Sequence, residues 1–241
     1  MGKGAKEAVP KLQALSLNFA EDAQVQEQAV KALRSIGKEA TKAVLPKLVK
    51  ALHDSHQEVR KRATIALGLF GKEAQEAVPE LMQTSLFDSD TAYAVGSIGR
   101  ESKPAVLPEL LKALDDSDAS VRKRAVNVLR FMGEEAKEAV PELMKALYDS
   151  EAFVRAAAAG ALGSMGKEAT EAVPKLAKSL EDSEAEVRYR AADALGSIGK
   201  GAPIVVQKLR EALGDSDRSV RQSALSALTK LQGKVLLTSL G

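Results

Sequence analysis

Residues 133–165 read GEEAKEAVPELMKALYDSEAFVRAAAAGALGSM, and this stretch decides the fold because variants of it recur along the chain of 241 residues. Its opening motif, from glycine to proline, returns at residues 2–10, 37–46, 71–79, 99–108 and 166–174. A degenerate copy begins at Gly199 and has Gln207 in place of the proline. The copies start 28 to 35 residues apart, a self-similarity that is typical of repeat architectures.

Each copy predicts two helices joined by a short turn. Pro141 stands where helix A begins, a place that tolerates proline because the first N–H groups of a helix have no intrahelical partner. An Asp-Ser pair follows, and its serine is expected to cap helix B, as in the spacing of Ser55 and Glu58. Helix B then carries Val, Ala, Ala and Leu at helical spacing, which gives a one-sided apolar stripe. A final glycine supplies the left-handed turn that stops the helix.

Stacking of the hairpins is required because no single hairpin covers its own apolar face. The sequence therefore predicts an all-α fold: a right-handed α-solenoid, or alpha-alpha superhelix, of seven two-helix repeats forming one domain over residues 1–241. The repeats fall near 2–36, 37–70, 71–98, 99–132, 133–165, 166–198 and 199–231, followed by a C-terminal tail at 232–241.

The third repeat is shorter than the others, because only 28 residues separate Gly71 from Gly99. Its Asp88-Ser89 pair runs directly into a helix-forming segment without the Val-Arg turn. We expect helix B of this repeat to be curtailed by more than one turn. Tyr93 would then stand at a notch in the stack.

The residues resemble a known family. The pattern Asp-Ser-x-x-x-Val-Arg-x-x-Ala-x-x-Ala-Leu-Gly-x-Ile is similar to HEAT repeats, and most similar to the short bacterial kind found in phycobilisome-lyase-type proteins. The resemblance implies that helix A lies on the convex side and helix B on the concave side. It also implies a ladder between aspartates and arginines: Asp54, Asp116, Asp149, Asp182 and Asp215 with Arg60, Arg122, Arg155, Arg188 and Arg221. Repeat 1 departs from this pattern, with Gln26 in the arginine place and Ala23 in the Asp-Ser-like stretch.

The composition narrows the class of protein. Hydrophobic residues make up 45% of the chain but aromatic residues only 3%, so the core must consist mainly of Ala, Leu, Val and Ile. Lys and Arg number 35 against 33 acidic residues, a balance that argues against a dedicated nucleic-acid binder. Without cysteine there are no disulfides. No apolar run approaches the ~20 residues of a membrane span, and no signal peptide is evident, so we expect a cytoplasmic protein.

No catalytic or metal-binding residues emerge. His53 and His56 are the only histidines, and no further His or Cys is present to complete a zinc site. A Ser nucleophile needs a histidine beside it, and neither histidine falls in a plausible cleft. No His-Glu dipeptide of the kind used by HEAT-like iron hydroxylases occurs. We therefore expect no enzymatic activity and no cofactor.

The variable positions of helix B are the candidate partner-binding surface. They include a basic stripe on the concave side, suited to an acidic segment of a partner protein: Lys61, Arg62, Lys123, Arg124, Arg130 and Arg190. Tyr93, Asn127 and Asp193 also belong to the predicted binding residues. An equally simple interpretation is that these charges only solubilise the surface.

Repeat 5 differs from the others because alanine and glycine replace its polar residues between Phe153 and Gly160. A shallow apolar depression is expected there, at Ala156 and Gly160, framed by Tyr148, Phe153 and Tyr189. Such a patch can receive an apolar anchor of a partner. The alternative is that alanine was retained only for its helix propensity.

The leading functional hypothesis is a non-enzymatic protein–protein interaction scaffold. Two alternatives stay open: an accessory or lyase-type subunit acting on a chromophore-bearing protein, suggested by the family resemblance alone, and a weak nucleic-acid binder using the arginine stripe. Self-association through uncapped ends is a further option, because the tail from Lys234 to Gly241 is apolar rather than polar.

Overall fold

The computed structural model describes residues 3–18, 22–83, 88–199 and 203–238, and these residues form helices and turns with no strand. The chain divides into two compact units, Met1–Glu109 and Leu110–Gly241, here called unit 1 and unit 2. In the part of the chain that the structure describes, no helix is both long and apolar enough to cross a membrane.

The described residues of unit 1 form seven α-helices and the start of an eighth. They are α1 (Lys3–Ser16), α2 (Ala23–Ile36), α3 (Lys38–Thr41), α4 (Leu45–Ala51), α5 (Gln57–Phe70), α6 (Val78–Gln83), α7 (Asp88–Glu101) and α8 (Lys103–Ala113), which runs across the division. The B helices α2, α5 and α7 form a row in which α5 packs against both of its neighbours. Leu33, Leu67, Phe70 and Ile98 lie fully buried in this row, as the predicted apolar stripe requires.

Unit 2 has the same arrangement of helices. Its further helices are α9 (Ala119–Met132), α10 (Val140–Ala146), α11 (Ala152–Ser164), α12 (Val173–Ser179), α13 (Ala185–Ile198), α14 (Pro203–Glu211) and α15 (Arg218–Thr238). Here α11 packs between α9 and α13, and α13 packs between α11 and α15. Each unit is thus a stack of helical hairpins, the arrangement predicted for an all-α solenoid.

Glycine brings the backbones of successive B helices close together. A β-carbon built on Gly163 would lie 2.9 Å from Ala194 Cα, and one built on Gly196 would lie 2.8 Å from Ala227 Cα. Real side-chain carbons do not approach backbone atoms so closely, because interiors are packed without spare space. Only glycine fits at these two positions.

The turns between repeats follow the predicted glycine signal. Gly71, Gly133, Gly166 and Gly199 all have positive φ, from 57° to 74°, where glycine is the favoured residue. After three of them, a 3-10 segment leads into helix A: Gly71–Ala77, Gly133–Ala139 and Gly166–Ala172. The sequence did not indicate these 3-10 segments.

The start of helix A agrees with the prediction in some repeats and not in others. Pro46, Pro141 and Pro174 lie in the first turn of α4, α10 and α12. Pro10 and Pro108 instead lie inside α1 and α8. In α8 the five residues before Pro108 are already α-helical, so its ring removes one hydrogen bond from the helix interior.

The prediction for the third repeat was wrong about where the shortening falls. Helix α7 has 14 residues, as many as α5, α9 and α13, so helix B is not curtailed. Asp88 and Ser89 lie in its first turn rather than before it, and Gly99 lies inside the helix instead of ending it. The shortening instead removes the turn that follows the Asp-Ser pair in other repeats, because α7 begins at Asp88 itself and continues past Gly99 to Glu101.

The expected serine caps are also wrong. Helix B begins after His56, Asp118, Glu151 and Glu184, each one residue beyond the serine or its equivalent. The aspartate of the Asp-Ser pair closes the turn instead. Its Oδ1 accepts the N–H of the residue two positions later, at 2.8 to 3.0 Å in Asp54, Asp116, Asp149, Asp182 and Asp215. Such an Asx turn satisfies a backbone N–H that the helix leaves unpaired.

Candidate functional site

The turns of unit 2 are joined by ion pairs between repeats. Arg155 donates from Nε to Asp182 Oδ2 at 2.8 Å and from Nη2 to Asp182 Oδ1 at 2.9 Å, a bidentate pair. Its Nη1 donates to the backbone oxygens of Asp149 and Ser150 in its own repeat. Arg122 with Asp149 and Arg188 with Asp215 repeat this geometry. Each arginine thus fixes its own turn and the turn of the following repeat.

The paired carboxylates are electrostatically stabilised. The hydrogen bond from Arg122 is the main reason why the pKa of Asp149 lies below its ordinary value, and Arg188 lowers the pKa of Asp215 in the same way. For Asp182, burial acts to raise the pKa, but the hydrogen bonds from Arg155 and the Glu184 N–H outweigh it and the pKa is lowered. These three carboxylates are therefore ionised at neutral pH, where they bind the arginines of the turns and do not act as proton donors.

Within the described residues, other members of the predicted ladder show part of these contacts. Arg60 and Arg221 each donate from Nη1 to two backbone oxygens of their own turn. Asp54 accepts from the backbone and ring nitrogens of His56. In repeat 1, the Nε2 of Gln26 donates to Ser16 O at 2.9 Å. Ala23, which the sequence placed in the Asp-Ser-like stretch, is the first residue of α2.

The exposed side of the B helices of unit 2 forms a surface that we call the helix-B face. It consists of the half-buried residues Lys123, Asn127, Arg130, Ala157, Gly160, Tyr189, Arg190 and Asp193. At its centre, a β-carbon on Gly160 would lie 3.8 Å from Arg130 Cδ and 4.0 Å from Arg190 Cδ. These are ordinary van der Waals contact distances, so a methyl group would fit above Gly160 and would touch both arginine side chains.

Two predicted members of the basic stripe do not lie on an exposed surface. Arg62 is only 6% exposed and Arg124 only 4%. Arg62 donates from Nε to Gln26 Oε1 at 3.0 Å and lines a pocket of about 150 Å³ between α2 and α5. The expectation of exposed guanidinium groups is therefore wrong for these two residues, because their long side chains fold against the neighbouring structure.

The apolar depression of repeat 5 stays a prediction, and one of the residues assigned to it is misplaced. Ala156 is 2% exposed and belongs to the core, whereas Ala157 and Gly160 are half-buried. Lys123 occupies the place of Ala156 on α9 and is half-buried, because a long side chain extends toward solvent where a methyl group does not. The sequence reasoning missed Ala157, which a finer helical projection would have favoured.

The aromatic residues do not form one common frame. Phe153 is 38% exposed at the start of α11, with Lys123 Nζ 5.5 Å from its ring centre. Tyr189 lies on α13, and its ring centre is 4.9 Å from the guanidinium carbon of Arg190. Tyr148 lies on the turn before α11, in a pocket of about 400 Å³ whose lining includes neither Phe153 nor Tyr189.

Lysines near Tyr148 were not anticipated. Lys175 Nζ and Lys178 Nζ lie 5.5 and 5.4 Å from its ring centre, within the range of cation–π contact. Their spacing of three residues on α12 was the only available signal. In unit 1, the remaining predicted binding residues are Lys61, which is half-buried, and Tyr93, which is 39% exposed on α7.

Each histidine contacts one carboxylate, His53 in the following repeat and His56 in its own turn. His53 Nε2 lies 2.5 Å from Glu80 Oε1, and His56 Nδ1 lies 3.1 Å from Asp54 Oδ1. Both rings are exposed. Over the described ranges, no group of three or more His, Cys, Asp or Glu is placed to hold a metal ion.

Comparison with known proteins agrees with this architecture. The family model for HEAT repeats matches residues 2–68, 88–163, 107–181 and 140–229. No curated protein matches the sequence. The closer similarity to phycobilisome-lyase-type repeats stays a prediction.

Several solved structures resemble the chain. An engineered protein shares 26% identity with a TM-score of 0.52, and the alignment covers 94% of this chain and 71% of that one. A mutant of Kap121p shares 13% identity with a TM-score of 0.71, covering 93% of this chain and 30% of that one. A designed armadillo repeat protein in complex with the peptide (KR)4 shares 24% identity with a TM-score of 0.46, covering 92% and 99%. The Kap121p likeness concerns the fold alone.

Proposed function

The chain belongs to the HEAT-repeat family, and on that premise we propose that it is a non-enzymatic scaffold that binds a segment of a partner protein along the helix-B face of unit 2. Repeat stacks of this kind offer extended surfaces suited to such binding. A cytoplasmic location, expected from the sequence, is part of the same proposal.

One observation carries this assignment. Helix α11 presents Ala157 and Gly160 between two helices that bear long side chains, so the middle of the face is lower than its sides. Lys123 and Arg130 project from α9, and Tyr189 and Arg190 project from α13. A shallow channel with a small-residue floor allows the backbone of an extended segment to approach closely.

The chemistry of the channel favours protein over nucleic acid. Protein surfaces that bind nucleic acid generally carry a marked excess of Lys and Arg. This chain has a formal net charge of only +2. The channel also combines cations with Asn127, Asp193 and the ring of Tyr189, a mixture typical of protein interfaces.

Selection from a displayed library of random peptides tests the proposal. The native protein is expected to enrich peptides, and Gly160→Trp is expected to abolish the enrichment because an indole fills the channel. Gly214→Trp is the matched control. No atom of another residue lies within 4 Å of a β-carbon at Gly214, which is exposed on the turn before α15.

Two results would refute the proposal. The first is a failure of the native protein to enrich any peptide. The second is equal enrichment by the Gly160→Trp and Gly214→Trp variants, which would place binding elsewhere. Circular dichroism of both variants must match that of the native protein for the comparison to hold.

A further inference from the structure

The side chains of Arg130 and Arg190 flank one point of the helix-B face from opposite sides. Both Arg130 Cδ and Arg190 Cδ lie within 4.0 Å of the position that a β-carbon of Gly160 would occupy. The arginines come from helices on opposite sides of α11. Ser164 Oγ donates to the backbone oxygen of Arg130 at 3.1 Å, which ties this part of α9 to the end of α11.

The charges of this pair are not neutralised by neighbouring acids. Among the described residues no carboxylate forms an ion pair with Arg130, whose guanidinium lies 5.9 Å from the ring centre of Phe131. Arg190 has Glu186 Oε1 at 4.0 Å from its Nη2, at the outer limit of an ion pair, on an exposed helix surface. An exposed pair with this geometry contributes little.

The ladder arginines of the same unit show the contrast. Arg155 and Arg188 each hold an aspartate with two hydrogen bonds of 2.7 to 2.9 Å. Arg130 and Arg190 have the same planar donor group, but their donors are available to a ligand. A carboxylate is the ligand that matches this donor fork in shape and charge.

We propose that Arg130 and Arg190 together bind one carboxylate of an acidic segment of a partner protein, seated over Gly160. This inference rests on the proposed function and specifies the chemistry of the partner. Glycine at position 160 leaves room for the incoming side chain. Lys123, on the same face, adds a third positive charge, whereas Asp193 and Glu186 contribute two negative charges. The local charge stays positive and favours further acidic residues in the segment.

The probe is a short synthetic peptide in which glutamate alternates with glycine, compared with the same peptide carrying glutamine. The double variant Arg130→Gln, Arg190→Gln is expected to bind the glutamate peptide roughly 10- to 100-fold more weakly, because charge-assisted hydrogen bonds are lost. The matched control Lys137→Gln, Lys167→Gln removes the same charge from exposed positions in the 3-10 segments. It is expected to change the affinity less than twofold.

A second variant separates loss of binding from loss of folding. Gly160→Ala places a methyl group at contact distance from both arginines without a clash. It is expected to weaken binding of the glutamate peptide severalfold while the melting temperature rises. An unchanged affinity would overturn the idea that the ligand sits over residue 160.

The remaining outcomes distinguish this inference from the proposed function. In one outcome, Gly160→Trp blocks the binding of library peptides while the double arginine variant leaves it unchanged. That result supports the proposed scaffold function and overturns the binding of a carboxylate by the two arginines. Equal affinity for the glutamate and glutamine peptides also overturns the binding of a carboxylate. A single-stranded oligonucleotide that binds more tightly than the glutamate peptide, and loses affinity in the same variant, identifies the partner as nucleic acid and overturns both proposals.

Discussion

The turns of the two units use the same repeat positions differently. In unit 2, Arg122, Arg155 and Arg188 each bind the aspartate of the following repeat. In unit 1, the place of the arginine in repeat 1 is taken by Gln26, which bonds to Ser16 O and receives the Nε of Arg62. Asp54, the aspartate of the following turn, has its described partners within its own turn, at His56 and Ser55.

This difference shows that the repeat motif determines the packing within and between helices more strictly than it determines the polar contacts between successive turns. The apolar stripes of both units are buried in the same way, since they pack helix on helix. The polar links depend on one residue in each repeat. A single change from arginine to glutamine converts an ion pair between turns into an amide contact within a repeat and with a neighbouring helix.

Acidification is expected to have the largest effect, because it acts on all three ion pairs of unit 2. The native pKa values of Asp149, Asp182 and Asp215 are lowered, so their contribution to stability is present above the ordinary pKa of 3.8 and is lost as the pH falls through the native values. Thermal unfolding at a series of pH values should show this loss. The variant in which all three aspartates are changed to asparagine should have a lower melting temperature at neutral pH and a smaller fall in melting temperature on acidification. If the melting temperatures of both proteins fall in parallel with pH, the ion pairs are not the cause.

Removal of one aspartate is expected to affect stability differently in the two units. Asp182→Ala leaves the largely buried guanidinium of Arg155 without its carboxylate and is expected to destabilise by about 3 kcal/mol. Asp54→Ala removes only the turn-closing acceptor in unit 1 and is expected to cost about 1 kcal/mol. Chemical denaturation of both variants gives the measurement. Equal losses would mean that the ion pairs contribute nothing beyond the turn.

Close packing of glycine is expected to be the same in both units. A β-carbon on Gly68 would lie 2.7 Å from Ala94 Cα in unit 1, and one on Gly163 would lie 2.9 Å from Ala194 Cα in unit 2. Gly68→Ala and Gly163→Ala should each therefore destabilise by about 2 kcal/mol through overpacking. Comparison of their melting temperatures tests this, and a stabilised variant at either position would contradict it.

Gly160→Ala is expected to have the smallest effect, and in the opposite direction. Its helical backbone and open surroundings accept a methyl group, so the gain in helix propensity should stabilise unit 2 by roughly 0.5 to 1 kcal/mol. Gly163, three residues away in the same helix, is the natural control. Should Gly160→Ala lower the melting temperature, the space over Gly160 is not open.

Much of the fold was accessible from the sequence. The Val-Ala-Ala-Leu stripes indicated the buried faces of the B helices, and the glycines at 71, 133, 166 and 199 indicated turns in which the structure gives glycine a positive φ. Gly199 has the predicted left-handed conformation, whereas Gly71 and Gly133 have ψ values of −133° and −135°. These signals are local, because they depend on helical period and on backbone conformation. The bidentate partners of Arg122, Arg155 and Arg188 were implied by the family resemblance.

The candidate site was predicted less completely. Arg62 and Arg124 occupy the same position of helix B as Arg190 and yet are buried, and Ala156 lies in the core beside the half-buried Ala157. One helix taken alone does not distinguish these cases. What covers a side chain depends on the residues of the adjacent helices, which are about thirty positions away in the sequence.

The sequence by itself determined that this protein is a row of helical hairpins with glycine turns, because periodicity and turn chemistry act within one repeat. Tertiary structure alone decided that the shortened third repeat keeps a full α7, and that the side chains of Arg130 and Arg190 flank Gly160. Both outcomes arise from the packing of one helix against the next, where the apolar stripe sets the register of a whole helix and side-chain length sets what remains exposed.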